Sequence, residues 1–341
     1  MINKILPIYN YKVDFMFNNK ILNPDEVPDV KWPFRNVYDD KKTKLNVILI
    51  TAPFRTDEEV NNFNKYIEMG VEICGMSSYL NFPDVLTNPY EDIYHIENKH
   101  NYFLMASAWM HCFREPSERL KKSGLPLLLL TEADLKDFSN IDIPSIEEKE
   151  YDFFYSCPKD NDECIPGWQS FNRNWDLAKK CLKVMCEKYK LKGIIIGREN
   201  CEFTELCSDY ITIVPGMEFY EFQAMMRKCK FIFVPNIMDA SPRVITEAFC
   251  YNIPALVNYN ILGGWHNIIP DITGEFFTDE NNIKEALDKI IRTDIYKPRK
   301  WFEENRGKEI CGKEMATFLI KHYPNLGGNV VNPNTIKYVT L

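Results

Sequence analysis

The stretch KFIFVPNIMDASPRVITEAFCYNIPALVNY, residues 230–259, contains an apolar strand, an amphipathic helix and a second apolar strand. This alternation predicts buried parallel strands joined by a crossover helix. One acid, Asp239, lies in the turn before the helix, and a second, Glu247, lies on the helix eight residues later. A helix that serves packing alone needs a cap and an apolar face, but no upstream acid at this spacing. The turn and the helix are therefore the first candidate for a binding site.

The start of this helix suits an anion. We predict Ser241 as the N-cap and Pro242 as the first helical residue, which is a favoured start. The free N–H groups and the dipole of such a start attract anions, phosphates above all. Glu247 follows Arg243 by four residues, so a surface ion pair between these two side chains is the alternative interpretation.

The same alternation extends along the chain. In the second half, the strands YDFFYSC, KGIIIGRE and ITIVPG alternate with the helices NWDLAKKCLKVMCEKY, EFYEFQAMMRKC and NNIKEALDKIIRT. In the first half, the strands KLNVILITAPF and VEICGM flank the helix DEEVNNFNKYIEMG, with Gly70 as its C-cap. NYFLMASAWMHCF fits a strand or a helix, and LPLLLLTEADLKDF predicts a strand that leads into a helix. The fold class predicted is α/β, with two domains built on parallel sheets.

The acidic stretch SNIDIPSIEEKE has no apolar period and predicts the domain boundary. We predict an N-terminal domain at residues 1–147 and a second domain at 148–305. A C-terminal helix and tail, residues 306–341, are predicted to pack back toward the first domain.

Composition and charge exclude several classes of protein. With 45% hydrophobic and 26% charged residues, the 341-residue chain is typical of soluble globular proteins, and two domains are expected. The net charge of -8 argues against broad nucleic-acid binding. Eleven cysteines without a CxxC pair predict reduced thiols in a cytoplasmic protein, and neither a zinc site nor a disulfide framework. No apolar run has the ~20 residues that a transmembrane segment needs, and polar residues break the N-terminal stretch where a signal peptide would be apolar.

The order of strand, loop acid, helix start, Glu247 and the glycine pair in ILGGWHN resembles the donor site of GT-B glycosyltransferases. In particular, it is similar to the retaining glycosyltransferase family 4 type, in which an acid-x7-Glu motif spans this loop and helix. The likeness continues through ITIVPGMEFYEFQAMMRKCKFIFVPN upstream and GGWHNIIPDITGEFF downstream, over about residues 150–295. It implies two Rossmann-like αβα domains with parallel sheets that face each other across a cleft. The richness in Asn, Lys and Ile also resembles glycosyltransferases of large algal (chlorella-type) DNA viruses, for which the location would be the host cytoplasm.

The resemblance assigns roles at the donor site. Glu247 would hold the ribose hydroxyls, and Asp239 would reach hydroxyls of the donor sugar. Ser241 and the N–H groups of Arg243 and Val244 would meet the phosphates. The family usually has a glycine where this chain has Pro242, so one phosphate-binding N–H group is missing. Asp239 replaces the family's usual glutamate, which shortens its reach by one methylene.

The resemblance also implies a cationic clamp, because charge develops on the diphosphate as the glycosidic bond breaks. The segment FNRNWDLAKK offers Arg173 with Lys179, or less favourably Lys180. The alternative for these side chains is a solvated basic helix face. No Asp-x-Asp stands where a metal-dependent transferase needs it, so neither a metal nor another cofactor is expected.

Further site residues follow from the same resemblance. Gly197 is a candidate for contact with the nucleobase, and the alternative is that it only forms the turn at the end of a strand. His111 would touch the sugar or the reacting centre from the first domain, and the alternative is a buried core histidine. The candidates for the nucleobase and the sugar pocket are Gly197, Arg198, Pro215, Gly216 and Met217, and Gly263, Gly264 and Trp265.

The predicted function is transfer of a sugar from a nucleotide-sugar to a hydroxyl of a glycan or glycoprotein acceptor. UDP-glucose is the first donor expected and a GDP-sugar the second, with retention at the anomeric carbon and without a metal. A nucleotide-sugar epimerase of the same fold and a non-catalytic nucleotide-sugar-binding protein remain alternatives. A nicotinamide dehydrogenase is disfavoured, because no GxGxxG follows a first strand.

Overall fold

A computed structural model describes residues 21–84, 100–139, 141, 149–201, 209–328 and 331–341. The chain forms two compact units, and the described part of the first unit lies in residues 21–84, 100–135 and 307–341. The second unit contains the described residues of 136–306. The boundaries between the two units thus lie after Leu135 and after Arg306. The sequence predicted them after residues 147 and 305. The segment after Leu135 belongs to the second unit because Phe138 packs on Phe302, with ring centroids 5.8 Å apart.

The described strands are β1 Phe34–Asp39, β2 Lys44–Ile50, β3 Glu72–Met76, β4 Trp109–His111, β5 Leu127–Leu129, β6 Tyr151–Ser156, β7 Gly193–Ile196, β8 Ile211–Val214, β9 Cys229–Val234, β10 Ala255–Asn258, β11 Gly274–Phe277 and β12 Val339–Thr340. The described α-helices are α1 Asp57–Met69, α2 Glu118–Lys122, α3 Trp168–Asn172, α4 Trp175–Lys183, α5 Phe219–Arg227, α6 Arg243–Cys250, α7 Ile283–Ile290, α8 Pro298–Asn305 and α9 Gly307–His322. A π-helical turn, Val184–Lys188, extends α4. None of the described helices is long and apolar enough to cross a bilayer.

The sheet of the second unit has the strand order β11-β10-β9-β6-β7-β8, and every pair of adjacent strands in it is parallel. Numbered within this unit and reversed, the order is that of the Rossmann fold, in which the direction of winding changes between the first and fourth strands. Here those strands are β6 and β9, which pair with Phe153 opposite Phe231. Ligands of such sheets bind beyond the carboxyl ends of the strands at this switch point. We therefore expect a ligand-binding site at the loops after β6 and β9.

Helices cover both faces of this sheet. On one face, α4 and α7 bury apolar side chains such as Cys181 and Leu287 against Phe233 of β9. On the other face, α5, α6 and α8 bury residues such as Phe249 against Ile232. A sheet that is buried on both faces requires nearly continuous apolar strands, which is the pattern that the sequence contains.

The first unit has a sheet of order β12-β1-β2-β3-β4-β5. Strands β2 to β5 are parallel, whereas β1 pairs antiparallel with both β2 and β12. Helix α9 returns from the end of the second unit and packs Cys311, Met315 and Leu319 into the core of this sheet. The C-terminal residues are therefore an integral part of the first unit.

The predicted elements agree with the structure wherever the periodicity is strong. Helix α1 ends at Gly70, whose φ of 94° is the left-handed C-cap that the sequence predicts. The ambiguous segment NYFLMASAWMHCF contains a 3-10 turn, Tyr102–Leu104, followed by β4. The helix predicted after β5 is only a 3-10 turn, Glu132–Leu135. The predicted α/β class, with two Rossmann-like domains, is confirmed.

Candidate functional site

An ion pair joins the two loops at the switch point of the second sheet. Arg173 follows α3 in the connection after β6, and Asp239 lies in the loop after β9. The Nη1 of Arg173 donates to the Oδ2 of Asp239 at 2.7 Å, and both side chains are at most about a quarter exposed. The fold thus brings together two residues that the sequence analysis selected separately.

The loop that carries Asp239 is held from several sides. The side chain of Asn236 donates to the Oδ2 of Asp239 at 3.0 Å, and the backbone N–H of Ser241 donates to its Oδ1 at 3.3 Å. The backbone N–H of Gly263 donates to the carbonyl of Asp239 at 2.9 Å. The carboxylate is therefore already engaged within the protein, and its strongest partner is the guanidinium of Arg173.

Arg173 is fixed by its backbone and open at its side chain. It is the C-cap of α3, and its carbonyl accepts a hydrogen bond from the buried hydroxyl of Tyr155 at 3.1 Å. Among the described residues, Asp239 is the only hydrogen-bond partner of its guanidinium. A guanidinium has five N–H donors. The Nε of Arg173 is buried, so the donors left for an anion are those of its terminal nitrogens.

Lys179 has a different position. Its ammonium pairs with Asp176 of the same helix, α4, at 3.0 Å, and its side chain is 42% exposed. Lys180 is more exposed and pairs with Glu280 at 3.8 Å. For these two lysines the structure agrees with the solvated helix face, while Arg173 points to Asp239.

Helix α6 begins one residue later than predicted. Arg243 is its first residue, Pro242 occupies the N-cap position, and no side-chain hydrogen bond caps the helix. The prediction of Ser241 as N-cap is therefore wrong, because the backbone of Pro242, with a ψ of 84°, is not helical. Arg243 is exposed and Val244 half-buried at this uncapped start.

The glycine loop packs directly against this helix start. Gly264 has a φ of 72°, and a Cβ on it would lie 2.4 Å from the Cγ of Pro242. Only glycine fits this approach without a shift of the proline. Gly263 is buried, and Trp265 is half-buried and begins the 3-10 turn Trp265–Asn267. By contrast Gly274 begins β11, where its close neighbour is the carbonyl of Ala255 in β10.

Glu247 is a buried acid with unused hydrogen-bonding capacity. The residue is 8% exposed, and it accepts no hydrogen bond from any described residue. Its ion pair within the described ranges is with Lys136, with 4.0 Å between Nζ and Oε1. The alternative interpretation, an ion pair between Arg243 and Glu247, does not hold, because no ion pair within 4.0 Å joins these two side chains. Burial raises the pKa of Glu247, and the charges of Lys136 and Arg243 partly oppose this rise.

Lys136 is a candidate site residue, beside Glu247, that the sequence patterns did not indicate. It lies in the stretch LKDF, which the analysis assigned to the first domain. No local pattern distinguishes this lysine from the others of an acidic protein. Lys136 lies beside Glu247 because the chain passes from the first unit into the second after Leu135.

Arg198 lies in the interior and not on a ligand-facing surface. The residue is 1% exposed, and its guanidinium donates to the Oγ of Ser170 at 2.7 Å and to the Sγ of Cys157. It also lies over the ring of Trp175, 4.7 Å from its centroid. The side chain therefore supports α3 and α4, and thereby the backbone around Arg173. The predicted nucleobase contact of this position, partly through backbone groups, stays a prediction.

The other nucleobase candidates lie at the ends of β7 and β8. Gly197 is buried with a φ of 91°, and a Cβ on it would lie 2.8 Å from the Cα of Pro158, so the strand-end turn explains this glycine. Pro215 and Gly216 are exposed and Met217 is half-buried. A Cβ on Gly216 would meet no atom within 4 Å, so its backbone is accessible.

His111 ends β4 in the first unit. The residue is 8% exposed, and its ring stacks on Phe113 with centroids 6.0 Å apart. This environment agrees with the alternative interpretation of a buried histidine. The predicted contact with the sugar stays a prediction.

Two cysteines form a disulfide, contrary to the sequence analysis. Cys164 and Cys201 are bonded, with 5.7 Å between their Cα atoms. They lie in the segments after β6 and β7, 37 residues apart, and thus link the two connections. The spacing of the two cysteines in the sequence does not indicate this bond. The two segments lie close together only because β6 and β7 are parallel neighbours in the sheet. Eight further described cysteines are buried and form no disulfide.

Several glycosyltransferases of known structure share this architecture. No protein-family model and no curated protein matches the sequence. The chain is similar to the apo form of the lipopolysaccharide outer core galactosyltransferase WaaB, with a TM-score of 0.55 and 11% identity over 76% of this chain and 71% of that one. It is also similar to Anabaena HepE in complex with UDP and glucose, with a TM-score of 0.52 and 10% identity over 80% and 78% of the two chains. A glycosyltransferase from Rickettsia africae ESF-5 has a TM-score of 0.50 and 12% identity over 81% and 76%. The chain therefore has the fold of the GT-B glycosyltransferases.

Proposed function

We propose that the protein is a glycosyltransferase that moves a sugar from a nucleotide-sugar to a hydroxyl group of an acceptor. The observation that carries this proposal is the Arg173–Asp239 ion pair at the switch point of the second sheet, beside the uncapped start of α6. A fixed guanidinium and uncapped N–H groups are the donors that a diphosphate requires. The fold is one in which glycosyltransferases occur.

Each residue of the proposed site has a separate role. Arg173, oriented by Asp239, stabilises the charge that grows on the leaving diphosphate, and the N–H groups of Arg243 and Val244 bind its oxygens. Glu247 accepts hydrogen bonds from the ribose hydroxyls. The bond between the anomeric carbon and the phosphate oxygen breaks, and the acceptor oxygen bonds to the same carbon. The acceptor oxygen attacks the carbon on the face from which the phosphate leaves, so the configuration is retained without a carboxylate nucleophile. The acceptor proton passes to a phosphate oxygen.

UDP-glucose is the first donor to test and a GDP-sugar the second. The complex of HepE with UDP and glucose supports this order. The likeness to retaining family 4 enzymes suggests a glycan or glycoprotein hydroxyl as acceptor. A viral origin and a host-cytoplasmic location rest on composition, and the Cys164–Cys201 disulfide argues against a reducing compartment.

Calorimetry with UDP and with GDP tests nucleotide binding, and a screen of donor hydrolysis and transfer tests catalysis. We expect one diphosphate to bind and its sugar conjugate to turn over. Turnover of the donor to an epimer without an acceptor would favour the epimerase. Binding of the nucleotide-sugar without hydrolysis or transfer would favour the non-catalytic binding protein.

Variants of the two acids separate their roles. Glu247→Ala is expected to weaken UDP by ~100-fold, because two charge-assisted hydrogen bonds are lost. Asp239→Asn is expected to leave UDP binding almost unchanged and to slow transfer, since Arg173 loses its ionic partner. Unchanged binding and transfer in both variants would contradict the proposed site.

We also propose that turnover needs no metal, because Arg173 supplies the positive charge. Transfer should therefore persist in EDTA. Loss of activity with EDTA and recovery with manganese would contradict the cationic clamp.

A further inference from the structure

Lys136 lies against two residues of the second unit that belong to different helices. Its Nζ is 4.0 Å from the Oε1 of Glu247 on α6 and 5.6 Å from the ring centroid of Phe219 on α5. The lysine side chain is 25% exposed, whereas the side chain of Glu247 is 10% exposed. The ammonium is thus placed between a buried acid and an aromatic face.

The distance from Lys136 to Glu247 is too long for a hydrogen bond, which needs about 3.2 Å or less. The lysine therefore supplies charge without occupying a lone pair of the carboxylate. Burying an acid disfavours its ionised form, and a nearby cation restores it. Burial raises the pKa of Glu247, and Lys136 is the first of the charges that lower it.

The other charges around Glu247 have separate partners or lie farther along the helix. Arg243 is on the same helix and also lowers the pKa of Glu247. Arg299 of α8 donates to the carbonyl of Cys250 at 2.7 Å, and Arg227 of α5 lies over the ring of Tyr251. Among the described residues, Lys136 is the charge from outside α6 that lowers the pKa of Glu247.

We propose that Lys136 is a positioning residue for the nucleoside subsite: it holds Glu247 as an ionised acceptor with both oxygens open to the two hydroxyls of a ribose. The ligand class is a ribonucleoside diphosphate, as opposed to its 2′-deoxy counterpart. This inference rests on the proposed function. Lys136 acts through Glu247 and needs no contact of its own with the nucleotide.

The test measures binding of UDP and of 2′-deoxy-UDP by calorimetry between pH 6.5 and 9, with GDP and 2′-deoxy-GDP in their place if the wild type prefers guanine. The variants are Lys136→Met, Lys136→Arg, Glu247→Gln and the double variant Lys136→Met/Glu247→Gln. Lys300→Met is the matched control, because Lys300 pairs with Glu304 at 3.9 Å on the surface of α8. Thermal melting confirms that each variant is folded.

Lys136→Met is expected to weaken UDP about tenfold at neutral pH, which corresponds to the loss of one charge-assisted hydrogen bond. The loss should shrink as the pH rises, because Glu247 then ionises without the lysine. The preference for UDP over 2′-deoxy-UDP should fall in Lys136→Met and persist in Lys136→Arg. In the Glu247→Gln background, Lys136→Met should cause no further loss, and Lys300→Met should bind as the wild type does.

Wild-type affinity and ribose preference in Lys136→Met would overturn the inference and leave the proposed function standing. A loss that persists in the Glu247→Gln background would also overturn it, since Lys136 would then contact the phosphates directly. Failure of the wild type to bind either UDP or GDP would instead overturn the proposed function, and the inference with it.

Discussion

Arg173 and Asp239 are 66 residues apart in the sequence, and their side chains meet at 2.7 Å. The pair spans the loops after β6 and β9, the two strands between which the winding of the second sheet reverses. A buried hydroxyl fixes the backbone of Arg173, and Asn236 and Ser241 hold the carboxylate of Asp239. The guanidinium is thus oriented before any ligand arrives, which is the condition for electrostatic stabilisation of a transition state.

Arg173→Ala is predicted to slow transfer by ~100-fold or more, because a preorganised donor to the leaving diphosphate is lost. Lys179→Ala is predicted to slow it less than about threefold, since an exposed pair such as Lys179–Asp176 contributes little. Arg292→Ala, an exposed arginine beyond α7, controls for loss of charge. Initial rates at saturating donor provide the measurement, and equal losses for Arg173 and Lys179 would contradict the assignment.

Tyr155→Phe is predicted to reduce transfer about fivefold with little change in the affinity for UDP. The substitution keeps the buried ring and removes only the hydrogen bond to the carbonyl of Arg173, a loss of ~1 kcal/mol in orientation. Tyr296→Phe is the matched control, because its hydroxyl donates to Glu275 at 2.9 Å, away from Arg173. Similar transfer rates in the two variants would show that the hydroxyl of Tyr155 serves the fold alone.

Removal of the Cys164–Cys201 disulfide is predicted to lower the free energy of unfolding by about 4 kcal/mol, the chain-entropy value for a loop of this length. The double variant Cys164→Ser/Cys201→Ser and the wild type in reductant should unfold at the same denaturant concentration. The variant itself should not respond to reductant. Mass spectrometry under non-reducing conditions verifies the bond, and identical stability with and without reductant in the wild type would contradict its contribution.

Glu72 is predicted to make the stability of the protein pH-dependent. It lies at the start of β3, is 1% exposed, and burial raises its pKa to about 8. In the unfolded chain the proton leaves near pH 4.5, so between these values the folded state binds more protons. The free energy of unfolding should therefore fall as the pH rises from 4.5 to 8, by up to about 1.4 kcal/mol per pH unit.

Glu72→Gln is expected to remove this dependence and to gain stability over the wild type above pH 8. Glu58→Gln, at an exposed position of α1, is the control. Denaturant titrations at pH 5, 7 and 9 measure the effect. A wild type whose stability is constant between pH 5 and 9 would contradict the assigned ionisation of Glu72.

The sequence by itself determined the elements of the second unit and the residues at its switch point. Apolar runs such as KFIFVPN can be buried only in a sheet covered on both faces, and the helical periodicity after Asp239 fixes which side of α6 faces that sheet. These patterns are local, because each residue's environment follows from its neighbours within a few positions. The same local reasoning selected Asp239 and Glu247, whereas Arg173 was selected from the resemblance to GT-B glycosyltransferases.

Only the tertiary structure decided how these residues combine. The order of strands places the loops after β6 and β9 side by side, and no pattern within either loop encodes that order. The same holds for the Cys164–Cys201 bond, for the burial of Arg198 under α3 and for the arrival of Lys136 beside Glu247. Each depends on contacts between segments more than 25 residues apart. Such contacts are set by the burial of whole helices and strands, and the charged side chains then find their partners in the geometry that this burial imposes.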